Sequence, residues 1–215
     1  MPTSPFFSLK LSALFLLLFI GFLWLLKSIE IMTGLSLVEF GIYPGRISGL
    51  IGILLAPLIH GSVEHLVANT LPIFILGVCI LHIYPRSAFQ TLPILYLASG
   101  IGVWLFARPV YHIGASGLTY GMMFFIFIIG ILRRDRLAIA VSMLVFFLYG
   151  GMIWGILPRD PAISFEYHFF GAMTGIILAF IMKDRDLKIP EKKYDWDDAT
   201  DDEEDPIIGD EWRQP

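Results

Sequence analysis

Residues 114–136 read GASGLTYGMMFFIFIIGILRRDR, an apolar run that begins near one serine hydroxyl and ends in a charged cluster. From Ser116 to Leu132 the run contains no charged residue, and the cluster 133–136 then stops it. As a helix with a rise of 1.5 Å per residue, this run would be about 25 Å long. The hydrocarbon layer of a bilayer is about 30 Å thick. We therefore predict a transmembrane helix whose Ser116 end lies slightly below the membrane surface.

Five further apolar runs flank this one, and together they predict an all-α membrane protein. Of the 215 residues, 56% are hydrophobic and 16% are charged, whereas soluble domains contain about 25% charged residues. So much apolar surface cannot be buried in one modest soluble core, and the bilayer is the expected solvent. The predicted bundle has six spans, at residues 9–26, 60–83, 89–106, 116–132, 137–157 and 165–182.

The chain is expected to divide into a membrane domain, residues 1–182, and a tail, residues 183–215. Within the domain, residues 28–58 are apolar but interrupted by glycine and proline, which predicts a structured loop in the membrane interface. The tail holds thirteen acidic residues against six basic ones, which predicts a disordered cytoplasmic segment. The single cysteine, Cys79, excludes an internal disulfide framework or a multi-cysteine metal site. No basic stripe with interleaved aromatic residues indicates nucleic-acid binding.

The distribution of positive charge predicts how the bundle is oriented. With a cytoplasmic N-terminus, eleven of the fifteen Lys and Arg residues fall on the cytoplasmic side and four on the outer side. The short loop 133–136 contributes most to this difference. Positive residues favour cytoplasmic loops, so both termini are predicted to be cytoplasmic.

Under this topology the second, fourth and sixth spans run in the same direction, and each begins with unusual polar residues. These residues are His60, His65 and Asn69 on the second span, Ser116 on the fourth and His168 on the sixth. Polar groups are costly in the apolar layer, so they should face the bundle interior and meet one another. Topology alone therefore places a hydroxyl, imidazoles and a carboxamide at one depth.

Helical spacing adds to this grouping. His65 and Asn69 are four residues apart and share a helix face, and so do Ser116 and Tyr120. Two pairs of small residues permit close approach of helix backbones, and if their faces meet, Ser116 and His168 come together at the top of the contact. These glycines are Gly117 and Gly121 on the fourth span and Gly171 and Gly175 on the sixth.

No acid is available to orient the imidazole of His168. Glu166 lies about 200° around the helix from His168, and no predicted span contains an aspartate. A Ser-His-Glu triad is therefore not expected.

Each of these features also has an ordinary explanation. A Gly-x-Ser-Gly string is by itself a weak indication of catalysis, and paired small residues in apolar helices usually only pack. By default Tyr120 is a packed aromatic residue, while His82 and His112 are residues of the membrane interface. His60, five residues before His65, is expected to organise the preceding loop rather than contact a substrate.

Taken together, the three motifs resemble the rhomboid family of intramembrane serine proteases over about residues 40–182. The second span matches His-x4-His-x3-Asn, the fourth matches Gly-x-Ser-Gly-x-x-Tyr and the sixth matches His-x-x-Gly-x3-Gly. The motifs occur in the family's order and on the corresponding spans. Two positions depart from the family: Tyr167 replaces a small residue, and Arg46 follows Gly45 instead of tryptophan.

The resemblance implies an endopeptidase with a Ser-His dyad and no metal or cofactor. Ser116 would be the nucleophile and His168 the general base, with Tyr120 stacked on the imidazole. The oxyanion would be held by His65, Asn69 and the Ser116 backbone N–H. Gly114, just before the serine, would leave room for a peptide.

By the same analogy, the expected partners are the lipid bilayer and the transmembrane segments of other membrane proteins. The fifth span, with Phe146, Phe147 and Trp154, is expected to form a mobile gate together with the loop 158–161. The short six-span core suggests a bacterial inner membrane protein, and the sequence leaves the oligomeric state open.

Two other functions remain open at this point. A catalytically inactive rhomboid relative would bind membrane clients without cutting them. A small transporter or channel would need ionisable residues deep within the spans or a repeat between two halves of the chain. In this sequence the charges lie at the ends of the spans and no such repeat is present.

Overall fold

The computed structural model describes residues 8–161 and 163–187. Within these residues there are helices and helical turns but no strands, and one isolated β-bridge joins Ile42 to His112. Six of the helices are long and apolar enough to cross a membrane, which confirms the predicted six-span all-α bundle. They are α1 (Leu9–Thr33), α2 (Val63–Ile83), α3 (Pro85–Phe106), α4 (Ser116–Arg133), α5 (Arg136–Tyr149, continued by a 3-10 segment, Gly150–Ile156) and α6 (Phe165–Met182).

Helix α4 is the centre of the bundle. In its apolar window 72% of the residues are buried, against 22% in α1 and in α5, which therefore face lipid. The backbone of α4 lies directly against that of α6, because a Cβ added at Gly171 or Gly175 would overlap the carbonyl of Gly117 or Gly121, respectively. Both contacts advance by four residues in the same direction, so α4 and α6 are parallel and their first turns lie at the same end. We call this end, predicted from charge to be outside, the outer end.

Helix α1 is longer than predicted. We expected it to end at Leu26, before Lys27, but it continues to Thr33. Lys27 Nζ lies 2.8 Å from Glu30 Oε2, one turn further on, and 2.9 Å from the His60 carbonyl oxygen. The lysine is thus paired within the protein and does not stop the helix, which instead ends at Gly34 with a left-handed φ of 69°.

The boundaries around α2 also differ from the prediction. His60 was expected to lie inside this helix, but α2 begins at Val63 and is capped by Ser62, whose side chain accepts the His65 N–H. Pro85 was expected to close the second span, yet it is the first residue of α3. Proline is favoured at that position because the first helical N–H groups have no partner in the helix.

The segment between α1 and α2 is ordered by short helical turns at the outer end. Gly52 lies directly against the backbone of Gly41 and Ile42, where no larger residue would fit. Ile42 exchanges two backbone hydrogen bonds with His112, of 2.9 and 3.0 Å, and the carbonyl of Ala56 accepts the Gly114 N–H at 2.8 Å. This segment therefore supports the chain just before Ser116. The turns are Val38–Phe40, Ile47–Leu50, Gly52–Leu55 and Ala56–Leu58.

The fifth span was predicted as one helix to residue 157, but its α-helical part ends at Tyr149. The chain continues as a 3-10 segment, Gly150–Ile156. Two successive glycines at the junction disfavour the α-helix.

At the inner end, the first residues after α6 are tied to the bundle. The Asp186 carboxylate accepts the Arg86 N–H at 2.8 Å and the Ser87 N–H at 3.2 Å, which caps the start of α3. The buried Arg133 side chain donates to the carbonyls of Asp186 and Leu187 at 2.8 and 2.9 Å. The remainder of the predicted disordered tail, residues 188–215, lies outside the described residues.

Candidate active site

Ser116 is the first residue of α4 and is buried. The first N–H groups of a helix have no acceptor within the helix, so they point toward any group placed beyond its start. Gly114, two residues earlier, has φ +107° and lies against the His65 ring, with an added Cβ falling 2.5 Å from His65 Cε1. Only glycine fits at this turn, because any side chain would be strained and would strike the imidazole.

His168 lies in the first turn of α6 and is held on two sides. Its ring stacks on Tyr120 with the centroids 4.0 Å apart and the planes 5° from parallel. Its Nδ1 lies 2.9 Å from the Gly155 carbonyl oxygen, in the 3-10 segment after α5. A carbonyl can only accept, so this hydrogen bond requires the proton on Nδ1. In the neutral ring Nε2 is then an acceptor and can serve as a base.

Tyr120 links the serine to the histidine. It lies four residues after Ser116 on the same face of α4, and its ring covers that of His168. Among the hydrogen bonds of the described residues, none joins the Ser116 hydroxyl directly to the imidazole. Catalytic hydrogen bonds are often long without substrate and tighten when it binds. The starts of α4 and α6 therefore lie close together, with Tyr120 stacked on His168, but Ser116 and His168 are not hydrogen-bonded to each other among the described contacts.

His65 and Asn69 lie on one face of α2. The His65 ring is half-buried and touches the turn before Ser116, as the close contact with Gly114 shows. The buried Asn69 amide donates one N–H to the His65 carbonyl at 2.9 Å. An amide nitrogen carries two N–H groups, so the second is left for another acceptor.

The His60 ring is bonded to the segment that leads into α4, and its expected role in the preceding loop stays a prediction. Its Nε2 accepts the Ala115 N–H at 3.4 Å, and its ring meets the His65 ring edge-on with the centroids 5.0 Å apart. Burial, followed by the nearby His65, lowers the pKa of His60 to about 4. The imidazole is therefore neutral at pH 7 and can accept the backbone N–H that leads into α4.

His112 is buried within the protein, in the loop between α3 and α4, and its expected place in the membrane interface stays a prediction. Its Nδ1 lies 2.6 Å from Ser164 Oγ, and its Nε2 lies 3.0 Å from the Arg108 carbonyl oxygen. The only signal in the sequence was its place four residues before Ser116. The contact of Gly155 with His168 was also missed, since it depends on how the end of the fifth span packs.

Tyr167, which departs from the small residue usual in the family, is accommodated by a glycine. Its ring is almost fully buried, and an added Cβ at Gly117 would overlap it. Tyr167 joins a small apolar cluster with Ile42, Ala56 and Val103. The tyrosine therefore fills space between α3, α4 and the loop before α2, next to the histidine in sequence.

Comparison with known proteins agrees with this architecture. The chain matches the family model described as Rhomboid domain over residues 48–185. The uncharacterized protein Rv1337 of Mycobacterium tuberculosis is 34% identical over 188 residues, which cover 83% of this chain and 76% of that protein. The uncharacterized protein ML1171 of Mycobacterium leprae is 32% identical over 187 residues, covering 83% and 72%.

A plant relative carries the family name. RHOMBOID-like protein 4 of Arabidopsis thaliana is 30% identical over 132 residues, which cover 58% of this chain and 32% of that protein. The family match extends from the loop before α2 to just beyond α6 and includes all three polar motifs. With six apolar helices and a domain match over more than half of its length, the chain belongs to the rhomboid family of multi-pass membrane proteins.

Proposed function

We propose that this protein is an intramembrane serine endopeptidase that cleaves transmembrane segments of other membrane proteins. The observation that carries the proposal is the oriented imidazole of His168, stacked on Tyr120 and bonded through Nδ1 to the Gly155 carbonyl. His168 lies on α6, which packs parallel to α4, so His168 and Ser116 both lie at the outer end of the bundle. A histidine that only filled space in the core would need neither the ring stack nor the hydrogen bond that fixes its proton on Nδ1.

In the proposed reaction, Ser116 Oγ attacks the scissile carbonyl carbon while His168 Nε2 takes the hydroxyl proton. The tetrahedral intermediate collapses, the peptide C–N bond breaks, and Nε2 returns the proton to the leaving amine. Water then attacks the acyl-enzyme and gives a proton to Nε2; the ester bond between the acyl carbon and Ser116 Oγ breaks, Nε2 returns the proton to Oγ, and the carboxylic acid product leaves. The Gly155 carbonyl and Tyr120 stabilise the imidazolium that forms in each half, a role that aspartate has in soluble serine proteases.

The oxyanion of the intermediate would be held by the Ser116 backbone N–H together with His65 and Asn69. The start of α4 presents unpaired N–H groups and the positive end of the helix dipole. His65 is placed beside this helix start by its contact with Gly114. Loss of one such donor typically costs about 3 kcal/mol of transition-state stabilisation.

Substrates are proposed to enter sideways from the bilayer past α5. This helix is mostly exposed to lipid, and Phe147 and Trp154 are 86% and 57% exposed. A helical substrate hides its carbonyls, so we expect cleavage where small or helix-breaking residues unwind the segment near the outer surface. The relatives include mycobacterial proteins, and we propose a bacterial inner membrane with both termini in the cytoplasm.

Cleavage of a single-pass reporter in proteoliposomes tests this function. The reporter carries small and helix-breaking residues near the outer end of its transmembrane segment, and product is measured by gel shift and mass spectrometry. Cleavage by the wild type, its loss in Ser116→Ala and its retention in Ser28→Ala would support the proposal. Ser28 is a matched control because it is exposed on α1 and, within the described part of the chain, its hydroxyl bonds only to its own helix, at the Trp24 carbonyl.

The same reporter separates the protease from the client-binding alternative. A folded wild type that retains the reporter in a pull-down but leaves it uncut would favour an inactive rhomboid relative. Cleavage that persists unchanged in both Ser116→Ala and His168→Ala would refute the dyad.

A further inference from the structure

The segment between α3 and α4 is bonded to the first turn of α6 as well as leading into Ser116. His112 Nδ1 lies 2.6 Å from the hydroxyl of Ser164, the residue that caps α6. Arg108 adds an ion pair to Glu166 with Nε 3.1 Å from Oε1, and its Nη2 donates to the Ile163 carbonyl at 2.6 Å. The loop before the serine and the helix of the histidine are therefore one bonded unit.

The direction of each hydrogen bond in this unit follows from the donors and acceptors. The Arg108 carbonyl can only accept, so His112 carries its proton on Nε2, 3.0 Å away. Nδ1 is then an acceptor, and the Ser164 hydroxyl donates to it. The Ser164 oxygen in turn accepts the Tyr167 N–H at 3.3 Å. Burial lowers the pKa of His112, which favours the neutral ring that this arrangement needs.

This chain of bonds ends at the backbone of the proposed base. The His168 N–H is bonded to the Ser164 carbonyl at 3.4 Å, one turn after the cap. At its other end, His112 exchanges two backbone hydrogen bonds with Ile42 and so cannot shift independently of the outer loops. Ser116 follows His112 by four residues, through the positive-φ turn at Gly114.

We propose that His112 is a positioning residue, which through Ser164 sets the first turn of α6, and with it His168, relative to the start of α4. The inference rests on the proposed protease function. His112 does not touch the reacting atoms, and it acts only through the α6 cap. Its role is to hold the proposed nucleophile and base in their relative positions from one loop.

A double-mutant cycle in the full-length protein tests the proposal. His112→Phe keeps a ring but removes both nitrogen atoms, Ser164→Ala removes the hydroxyl, and Ser164→Thr keeps it. We expect each of the first two variants to lower kcat for the reporter about ten- to a hundred-fold, with KM little changed, because small misplacements of reacting groups cost about this much. Ser164→Thr should restore most of kcat, and the double variant should be no slower than the slower single variant.

Ser8→Ala is the matched control, since Ser8 caps α1 at the opposite end of the bundle through the Leu11 N–H at 3.2 Å. It loses a comparable cap and should leave kcat unchanged. Thermal unfolding of every variant is measured in detergent, so that kcat is compared between equal amounts of folded protein. If α6 capping matters only for stability, Ser8→Ala and Ser164→Ala will behave alike.

The outcomes separate this inference from the function on which it rests. An active wild type together with His112→Phe and Ser164→Ala variants that keep kcat within about twofold would overturn the positioning role and leave the protease intact. Strictly additive effects of the two substitutions would also overturn it. A folded wild type that neither cuts the reporter nor reacts with a fluorophosphonate would overturn both.

Discussion

Gly155→Ala is predicted to slow cleavage while leaving the bundle folded. Gly155 accepts a hydrogen bond from His168 Nδ1 at 2.9 Å. A Cβ at this position would overlap the Tyr120 hydroxyl and lie 3.3 Å from Nδ1. The 3-10 segment must therefore move away from α4 and α6, and the hydrogen bond from the imidazole is lost.

The expected decrease in kcat follows from the positive charge that the hydrogen bond from His168 to Gly155 stabilises. His168 becomes an imidazolium in the transition state, and hydrogen bonds to charged groups contribute about 1.5–3 kcal/mol. At 1.36 kcal/mol for each factor of ten in rate, kcat should fall about ten- to a hundred-fold. KM should change less, because the uncharged imidazole of the free enzyme gains little from the bond.

Gly151→Ala in the same 3-10 segment is the matched control. No atom lies within 4 Å of a Cβ added there, so kcat should stay within about twofold of the wild type. Both variants are assayed on the reporter in proteoliposomes, and their unfolding midpoints are measured in detergent. Cleavage by Gly155→Ala as fast as by Gly151→Ala, or a change in KM alone, would refute the role of the Gly155 carbonyl.

Three further changes test other contacts. Gly171→Ala places a Cβ against the Gly117 carbonyl and should destabilise the bundle by about 1–3 kcal/mol, seen as a lower unfolding midpoint. Asp186→Ala leaves buried N–H groups at the start of α3 without their acceptor; it should cost about 1–3 kcal/mol of stability, while kcat of the folded fraction stays constant. Tyr120→Phe should keep kcat within about threefold and Tyr120→Ala should lower it about two- to tenfold, because the ring stack on His168 contributes about 0.5–1.5 kcal/mol.

Some limits of the helices could be predicted from the residues that flank the apolar runs. Helix α6 begins and ends as expected, because Ser164 caps its start and Lys183 follows its apolar run. Helix α1 was misjudged because a lysine normally marks the end of a span, whereas Lys27 is paired with Glu30. That pair, and the His60 carbonyl beside it, are visible only when α1 and α2 are packed together.

The grouping of the polar residues could also be predicted, but their detailed contacts could not. Parallel spans with polar starts indicate a common depth, and the stacking of Tyr120 on His168 agrees with the resemblance to rhomboids. The sequence offered no reason to pair His168 with a backbone carbonyl of the fifth span, since apolar periodicity does not distinguish an α-helix from a 3-10 segment. The burial of His112 could not be predicted either, because its side-chain partner Ser164 comes from the start of α6, far along the chain.

The most direct test of the account is the site of a covalent adduct with a fluorophosphonate. The wild-type protein in proteoliposomes is treated with the probe, digested and analysed by mass spectrometry. We expect one adduct, on Ser116, whose rate of formation falls at least about a hundredfold in His168→Ala. An adduct on another serine, or labelling of Ser116 at the same rate without His168, would contradict the claim that these two residues act as a nucleophile and its base.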